Sequence, residues 1–371
     1  MASISKRILP SGSPQWRVSY VDGNGKRKRP GFTTWTAAND YRQEIEEQLR
    51  KGTYRPDSDR VIVAEVCAAF LEYAEGRTQR NERMTRKMLT VYRGHVNNHI
   101  RHPDHGVSTR KLSQFTAKAV GDFRDALRTD GVTVSTTRKI LATLHTILEY
   151  AIGQDWVATN AAHGVKVIGP RDEGSKKIVP PSKAELKSIL DAADDQFRFM
   201  VLFAASTGVR AGEQWALRWR DADLTSGVLS IERRVDSYGE EGPPKSAAGV
   251  RSVPLSAMLV KLLKEWKMSA SSKGGDDYIF PNRAGRHTCH DNLVKRRYKP
   301  TLVAAGVSAI NWHSLRHYAV STWIEAGLAP KTVQTFAGHS SLQVTMDRYG
   351  HLFPSDDHKA AMDAIAGELM G

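Results

Sequence analysis

Cysteine is nearly missing from this sequence: Cys67 and Cys289 are its only two, far apart in a chain of 371 residues. Neither a disulfide framework nor a zinc site follows from them, and a reducing compartment is expected. His287-Thr-Cys289-His290 offers ligand-type side chains, but no second cluster completes a tetrahedron, so no metal is expected there. Long apolar runs are also lacking. None approaches the ~20 residues that span a bilayer, and the polar N-terminus has no signal-peptide core, so no membrane partner and a cytoplasmic location are expected. Carboxylates are sparse around the motifs described below, where Glu213, Glu325 and Asp347 stand singly among cations. A metal-dependent nuclease or transposase needs clustered carboxylates to hold magnesium, so that class is disfavoured and no cofactor is expected. No solenoid-length repeat and no low-complexity segment occurs.

What the sequence has in excess is positive charge. The formal net charge is +14 and the pI about 9.7. Such a balance argues for a polyanionic partner, nucleic acid first and an acidic membrane surface second. The length suffices for roughly two or three domains, each with its own core.

The expected fold is multidomain and mainly α. Residues 1–56 read as a small N-terminal three-stranded β-sheet plus helix. Ile4–Leu9 and Gln15–Val21 are strand-like, Asp22-Gly-Asn-Gly25 is a hairpin signal, and a third strand runs from Lys26 to Phe32. Thr36 is the expected cap of a helix ending at Lys51. Lys26, Arg27, Lys28 and Arg29 lie beside the turn, and a basic ribbon of that width fits the DNA major groove. An exposed hairpin kept soluble by its own charge would read the same way. Residues 57–168 read as an all-α bundle, with Arg83, Arg86 and Lys87 on a basic helix and Ser135 capping the last one. For any single cation there a solvated surface residue is the favoured reading; only the summed bias points to phosphate. Residues 169–180 are rich in breakers and read as a linker. Residues 181–371 read as a mostly α domain with a small β-sheet, opening on a capping box at Ser182 and Glu185.

The most informative stretch is Asn311–Gly350, three short helices punctuated by Gly327, Pro330 and Gly338. His313 and Arg316 project from one face of the first helix, His339 follows Gly338, and Tyr349 ends the third. Imidazoles, a guanidinium and a phenol on short helices suit holding a phosphate. Upstream stand Thr207-Gly-Val-Arg-Ala-Gly-Glu213 and Lys245-Ser-Ala-Ala-Gly-Val-Arg-Ser-Val-Pro-Leu255.

In this order and spacing, these motifs resemble the tyrosine recombinase family, the phage-integrase type of site-specific recombinases, from about Arg60 to the C-terminus. The N-terminal module resembles the arm-binding domain of lambda-type integrases, and the helical bundle takes the core-site role. The chemistry is physically sensible. An attacked phosphodiester gathers negative charge, and the rigid forks of Arg210 and Arg316 can stabilise it without metal. Glu213, one helical turn from Arg210, can orient it. Tyr349 is the expected nucleophile, although its ordinary pKa near 10 requires a nearby base or positive charge. His313 and His339 can hydrogen-bond the phosphate or shuttle the phenolic proton; residue order does not decide which. His317, His351 and His358 receive no role.

The resemblance further implies a phosphotyrosyl bond to a DNA 3′ end, and Lys245 as the acid for the leaving 5′ oxygen. It implies double-stranded attachment sites as partners and a homotetramer on DNA, with the tail from Ser355 to Leu369 docking on a neighbouring protomer. A DNA-bending host factor and an excision factor are possible helpers, and the setting would be a bacterial host cell. A type IB topoisomerase uses similar chemistry, and a purely architectural DNA-binding protein would explain the charge alone.

Overall fold

The computed structural model describes residues 2–22, 25–80, 82–170, 179–353 and 358–370, with the backbone alone at 358–361. The chain divides into two compact units, Met1–Glu173 and Gly174–Gly371. Most of the expected linker, residues 171–178, lies outside the described residues.

The first unit opens on an antiparallel pair, β1 (Ser3–Ile8) and β2 (Pro14–Val21), with Ser3 opposite Ser19 and Ile8 opposite Pro14. The single third strand expected over Lys26–Phe32 is instead two pieces, β3 (Arg27–Lys28) and β4 (Gly31–Phe32), both paired with β2. Pro30 separates them because it has no N–H for the ladder. The sheet therefore has four short strands in place of three. The turn residues Gly23 and Asn24 lie outside the described residues.

Helix α1 (Trp35–Lys51) packs against this sheet around Val18, Tyr20, Ala38 and Ile45. Its cap is Thr34, whose hydroxyl accepts from the Ala37 N–H at 3.2 Å, and not Thr36. The Tyr20 hydroxyl bonds those of Tyr41 and Tyr54, at 3.1 and 2.8 Å, which satisfies the one polar atom in this small core.

Four helices with a separate core complete the unit: α2 (Val63–Gln79), α3 (Arg86–His95), α4 (Ala117–Thr129) and α5 (Val134–Gly153). Thr85, Thr116 and Thr133 cap the last three through their hydroxyls. Thr133 thus takes the position expected of Ser135. Val66, Phe70, Leu89, Phe123, Ile140, Leu144 and Ile147 are buried between the helices.

The second unit begins with α6 (Lys183–Ala192). The Ser182 hydroxyl accepts from the Glu185 N–H at 3.1 Å, and the Glu185 carboxylate accepts from the Ser182 N–H at 2.8 Å. That is the expected capping box. Helix α7 (Asp195–Thr207) buries Phe197, Met200, Val201 and Phe203, and a one-turn helix, α8 (Ala211–Gln214), follows. Next come β5 (Ala222–Asp223), β6 (Val228–Ile231), β7 (Arg234–Val235), β8 (Glu241–Gly242) and β9 (Arg251–Pro254). They form one antiparallel sheet, β5-β6-β9, and a separate β7-β8 hairpin. The remaining helices are α9 (Ala257–Ser269), α10 (His290–Leu293), α11 (Lys299–Ala304), α12 (His313–Glu325), α13 (Pro330–Ala337), α14 (Leu342–Tyr349) and α15 (His358–Met370).

Helices α12 to α14 are the three expected from punctuation. Pro330 holds the first position of α13, and Gly338 closes it in the left-handed region at φ 63°. Mainly helical with small sheets, the architecture is the expected one. No helix among the described residues is long and apolar enough to cross a membrane.

Candidate active site

Helix α7 ends at Gly208, whose φ of 61° turns the chain sharply into Arg210 and α8. A Cβ at Gly208 would lie 2.8 Å from the Trp323 ring and 3.2 Å from the Ala319 Cβ, so this approach to α12 requires glycine. The Gly208 carbonyl accepts a hydrogen bond from Arg316 Nη1 at 2.7 Å, and the Ala337 carbonyl accepts from Arg316 Nη2. The second arginine is therefore fixed by the C-terminal ends of two helices, where carbonyls are left over and the dipole is negative. Gly338 is the counterpart on α13. A Cβ there would lie 2.9 Å from the Ala248 carbonyl oxygen and 3.0 Å from the Arg251 side chain.

Glu213 connects the first arginine to this frame. Its carboxylate accepts from the Arg210 backbone N–H at 2.9 Å, from Arg210 Nη1 at 2.8 Å and from Arg251 Nη2 at 2.8 Å. Glu213 and the Arg251 side chain are each only 2% exposed, a buried ion pair. Arg251 also donates to the Phe336 carbonyl (2.7 Å) and the Gly249 carbonyl (2.9 Å), while Arg210 Nη2 donates to the Gly338 carbonyl at 2.8 Å. Arg210 is the accessible member, its side chain 38% exposed.

Three guanidiniums thus face a single carboxylate. Burial, with Arg210 and Arg251 close by, pushes Arg316 down to about 9, still a cation at neutral pH. The neighbouring arginines outweigh the desolvation of Glu213 and hold its carboxyl below the usual range. Such surplus positive charge suits an anion, which would supply the countercharge that the protein withholds.

Tyr349 closes the site from α14. It is 1% exposed, its ring lies nearly parallel to that of His339 at 6.2 Å, and its hydroxyl is hydrogen-bonded to His317 Nδ1. Burial raises the phenol above 10 against the opposing effect of Arg316 and Arg348. The three histidines are held neutral. Burial, then the surrounding cations, push His313 and His317 down to about 4 and His339 down to about 3. His313 is exposed overall, and it is the packed side of its ring, with His317 and Arg316 beside it, that accounts for its downward shift. His339 is buried, and its Nδ1 is paired with the Thr345 hydroxyl at 2.9 Å.

Residues 182–356 match the phage integrase family. Over nearly its whole length the chain is similar to a XerC-like tyrosine recombinase of Caldanaerobacter subterraneus, with 29% identity covering 95% of this chain and 96% of the relative. Together these matches support a tyrosine recombinase. The ICEBs1 integrase of Bacillus subtilis is 24% identical, covering 96% of this chain and 98% of that one. Among solved structures, the fold is shared with the Tn1549 transposon integrase in complex with transposon right end DNA (TM-score 0.65, 16% identity, 81% of this chain and 99% of that one). It is shared too with a lambda integrase tetramer bound to a Holliday junction (TM-score 0.58, 18% identity, 94% of each).

Of the site residues expected from sequence, the fold brings Arg210, Glu213, Arg316, His313, His339 and Tyr349 into one cluster. Lys245 stands apart. It was expected inside a hairpin turn, but the β7-β8 turn lies at residues 236–240, and Lys245 follows β8 on the exposed loop leading to β9. In the first unit, Lys26, Arg27 and Arg29 are exposed and Lys28, the second residue of β3, is half-buried. Arg83, Arg86 and Lys87 are exposed around the start of α3, with Arg83 in the left-handed region at φ 49°. Among the described residues no group of three or more His, Cys, Asp or Glu is placed to hold a metal ion. Sequence reasoning missed two residues: Arg251, read only as part of a strand, and His317, left without a role. The available signals were the arginine inside the quoted Lys245–Leu255 motif and the helical spacing of His313 and His317.

Proposed function

We propose that this recombinase cuts and rejoins DNA at specific attachment sites with Tyr349 as nucleophile, integrating and excising a phage or other mobile element. The observation that carries the reading is the uncompensated guanidinium cluster beside a buried phenol. Arg210 and Arg316 hold the non-bridging oxygens as charge gathers on them, and Glu213 keeps Arg210 oriented. His339 and His313 add hydrogen bonds to the phosphate. Tyr349 forms a 3′-phosphotyrosyl bond, and Lys245, brought in on its exposed loop, gives the leaving 5′ oxygen a proton. The phosphotyrosyl bond conserves the energy of the broken linkage, so rejoining needs neither nucleotide nor metal.

In this reading residues 1–56 bind an arm-type site through Lys26, Arg27, Lys28 and Arg29. Residues 57–168 grip the core site through Arg83, Arg86 and Lys87, 169–180 link, and 181–371 catalyse. The tetrameric assembly of the lambda relative supports four protomers on two paired sites. Helper proteins that bend DNA or set direction, and a cytoplasmic setting on DNA in a bacterial host, complete the proposal. Incubated with a nicked duplex that loses the leaving strand, and without divalent metal, the protein is expected to give a covalent adduct on a denaturing gel. An adduct that persists with Tyr349→Phe overturns the nucleophile assignment.

A further inference from the structure

We propose that His317 is the group that takes the proton from the Tyr349 hydroxyl during cleavage and returns it during rejoining, an inference resting on the reading of Tyr349 as the nucleophile. Three geometric facts carry it. His317 Nδ1 is hydrogen-bonded to the Tyr349 hydroxyl, joining the middle of α12 to the last residue of α14. The rings lie 5.7 Å apart, tilted by 52°, so the contact is made edge-on through the nitrogen. The other candidate acceptor, His339, has Nδ1 on the Thr345 hydroxyl and meets Tyr349 ring face to ring face. His313 packs against His317, with centroids 4.7 Å apart and the rings nearly perpendicular, which fixes the His317 ring from behind.

The electrostatics agree. The charged and titratable groups facing His317 are Arg348 and Tyr349 on α14, and Arg316 and His313 on α12. Burial and the two arginines keep the imidazole neutral without DNA, so it is ready to accept. Burial meanwhile keeps the phenol protonated. With the imidazole proton on Nε2, the hydroxyl donates and Nδ1 accepts, which is the arrangement the transfer requires. Burial is the larger cause of the depressed imidazole, but a phosphate bound at Arg210 and Arg316 offsets the cations' share of it, which raises its basicity when the substrate is in place.

As the Tyr349 oxygen forms its bond to phosphorus, the O–H electron pair stays on that oxygen and the proton passes to Nδ1. The bond from phosphorus to the 5′ oxygen breaks, and that oxygen takes a separate proton from Lys245. On rejoining, the 5′ hydroxyl attacks phosphorus and returns its proton to the Lys245 amine, the phosphotyrosyl bond breaks, and the departing phenolate recovers its proton from the imidazolium.

The test is single-turnover adduct formation on nicked DNA across pH with His317→Ala and His317→Asn. The Asn Oδ1 lies near the place of Nδ1, so this variant keeps a hydrogen-bond acceptor but cannot take a proton. It carries the test if the alanine variant fails to fold. Cleavage by both is expected to fall about a hundredfold or more, with DNA binding retained, and to rise with hydroxide concentration where the wild type levels off. On DNA with a sulfur leaving atom, which departs without protonation, Lys245→Ala should be relieved and His317→Ala should remain slow. His317→Asn matching the wild-type rate and pH profile, faster cleavage by His317→Ala, or relief of His317→Ala by sulfur would each overturn the proposal. Tyr349→Phe run in parallel separates the two readings. If it abolishes the adduct while the His317 variants cleave normally, only the role of His317 falls; if it leaves the adduct intact, the nucleophile reading fails first.

Discussion

Glu213 has two arginines to hold, so its loss is felt twice. In Glu213→Gln, Arg251 keeps its carbonyl partners but loses the carboxylate bonded to it, at a depth where an uncompensated charge is costly. Breaking one side of such a buried pair costs about 3–5 kcal/mol. A unit of this size loses roughly 2–4 °C of melting temperature per kcal/mol, so a fall of about 10 °C is expected by thermal melting. A variant that melts with the wild type would show that shape and not charge secures this corner. Arg316→Lys tests a different property. An ammonium cannot reach the Gly208 and Ala337 carbonyls with the two arms of a planar fork. Adduct formation is expected to fall by about a hundredfold or more while the fold, relieved of a crowded guanidinium, is kept. Circular dichroism and single-turnover cleavage measure the two effects separately.

The histidines make the second unit sensitive to mild acid. His313, His317 and His339 titrate near 4, 4 and 3 in the folded protein, against an ordinary value of 6.5. Their folded values are depressed, so the unfolded chain binds protons first. Stability is then full above about 6.5 and falls as pH drops through that value toward about 4, by up to one proton per histidine. Melting measured from pH 8 to about 5, above the range where carboxylates titrate, should be flat at first and then decline. A constant melting temperature throughout contradicts the packing assigned to His317 and His339.

At the scale of elements, the site depends on how helices stop. Gly338→Ala would force a side chain into the left-handed region and against Arg251 and the Ala248 carbonyl. A stability loss above about 1 kcal/mol is expected, with a larger effect on cleavage because the Gly338 carbonyl holds Arg210. Thermal melting and adduct yield of the one variant provide both numbers. The helix stops were legible in the sequence because they are local: Gly327, Pro330 and Gly338 need no distant partner to read. The Ser182 cap was legible outright because Glu185 marks it, whereas two other caps were legible only to within two residues. Thr34 and Thr36, or Thr133 and Ser135, offer equivalent hydroxyls, and where the chain leaves the preceding segment selects between them. The break at Pro30 follows from the missing N–H, yet the strand pattern around it hid the break. Arg251 and His317 could not be read at all. Their meaning comes from Glu213, Phe336 and Tyr349, partners 38, 85 and 32 residues away along the chain that no periodicity encodes.

For the whole molecule, the claim is that surplus cations do two different jobs. Those on the first unit neutralise phosphates along a duplex, so affinity should fall steeply with salt. Replacing Arg83, Arg86 and Lys87 together by glutamine should reduce the salt slope by about one for each phosphate that these side chains neutralise. An unchanged slope in a filter-binding or anisotropy titration would remove that helix from the interface. Those in the second unit serve chemistry, and the central claim is that they activate one phenol. Its most direct measurement is to trap the adduct on nicked DNA, digest both components and identify the nucleotide-bearing peptide by mass spectrometry. The account predicts a 3′-phosphate carried by Tyr349 in the peptide that spans α14. A nucleotide on any other residue, or a linkage through a 5′-phosphate, contradicts it.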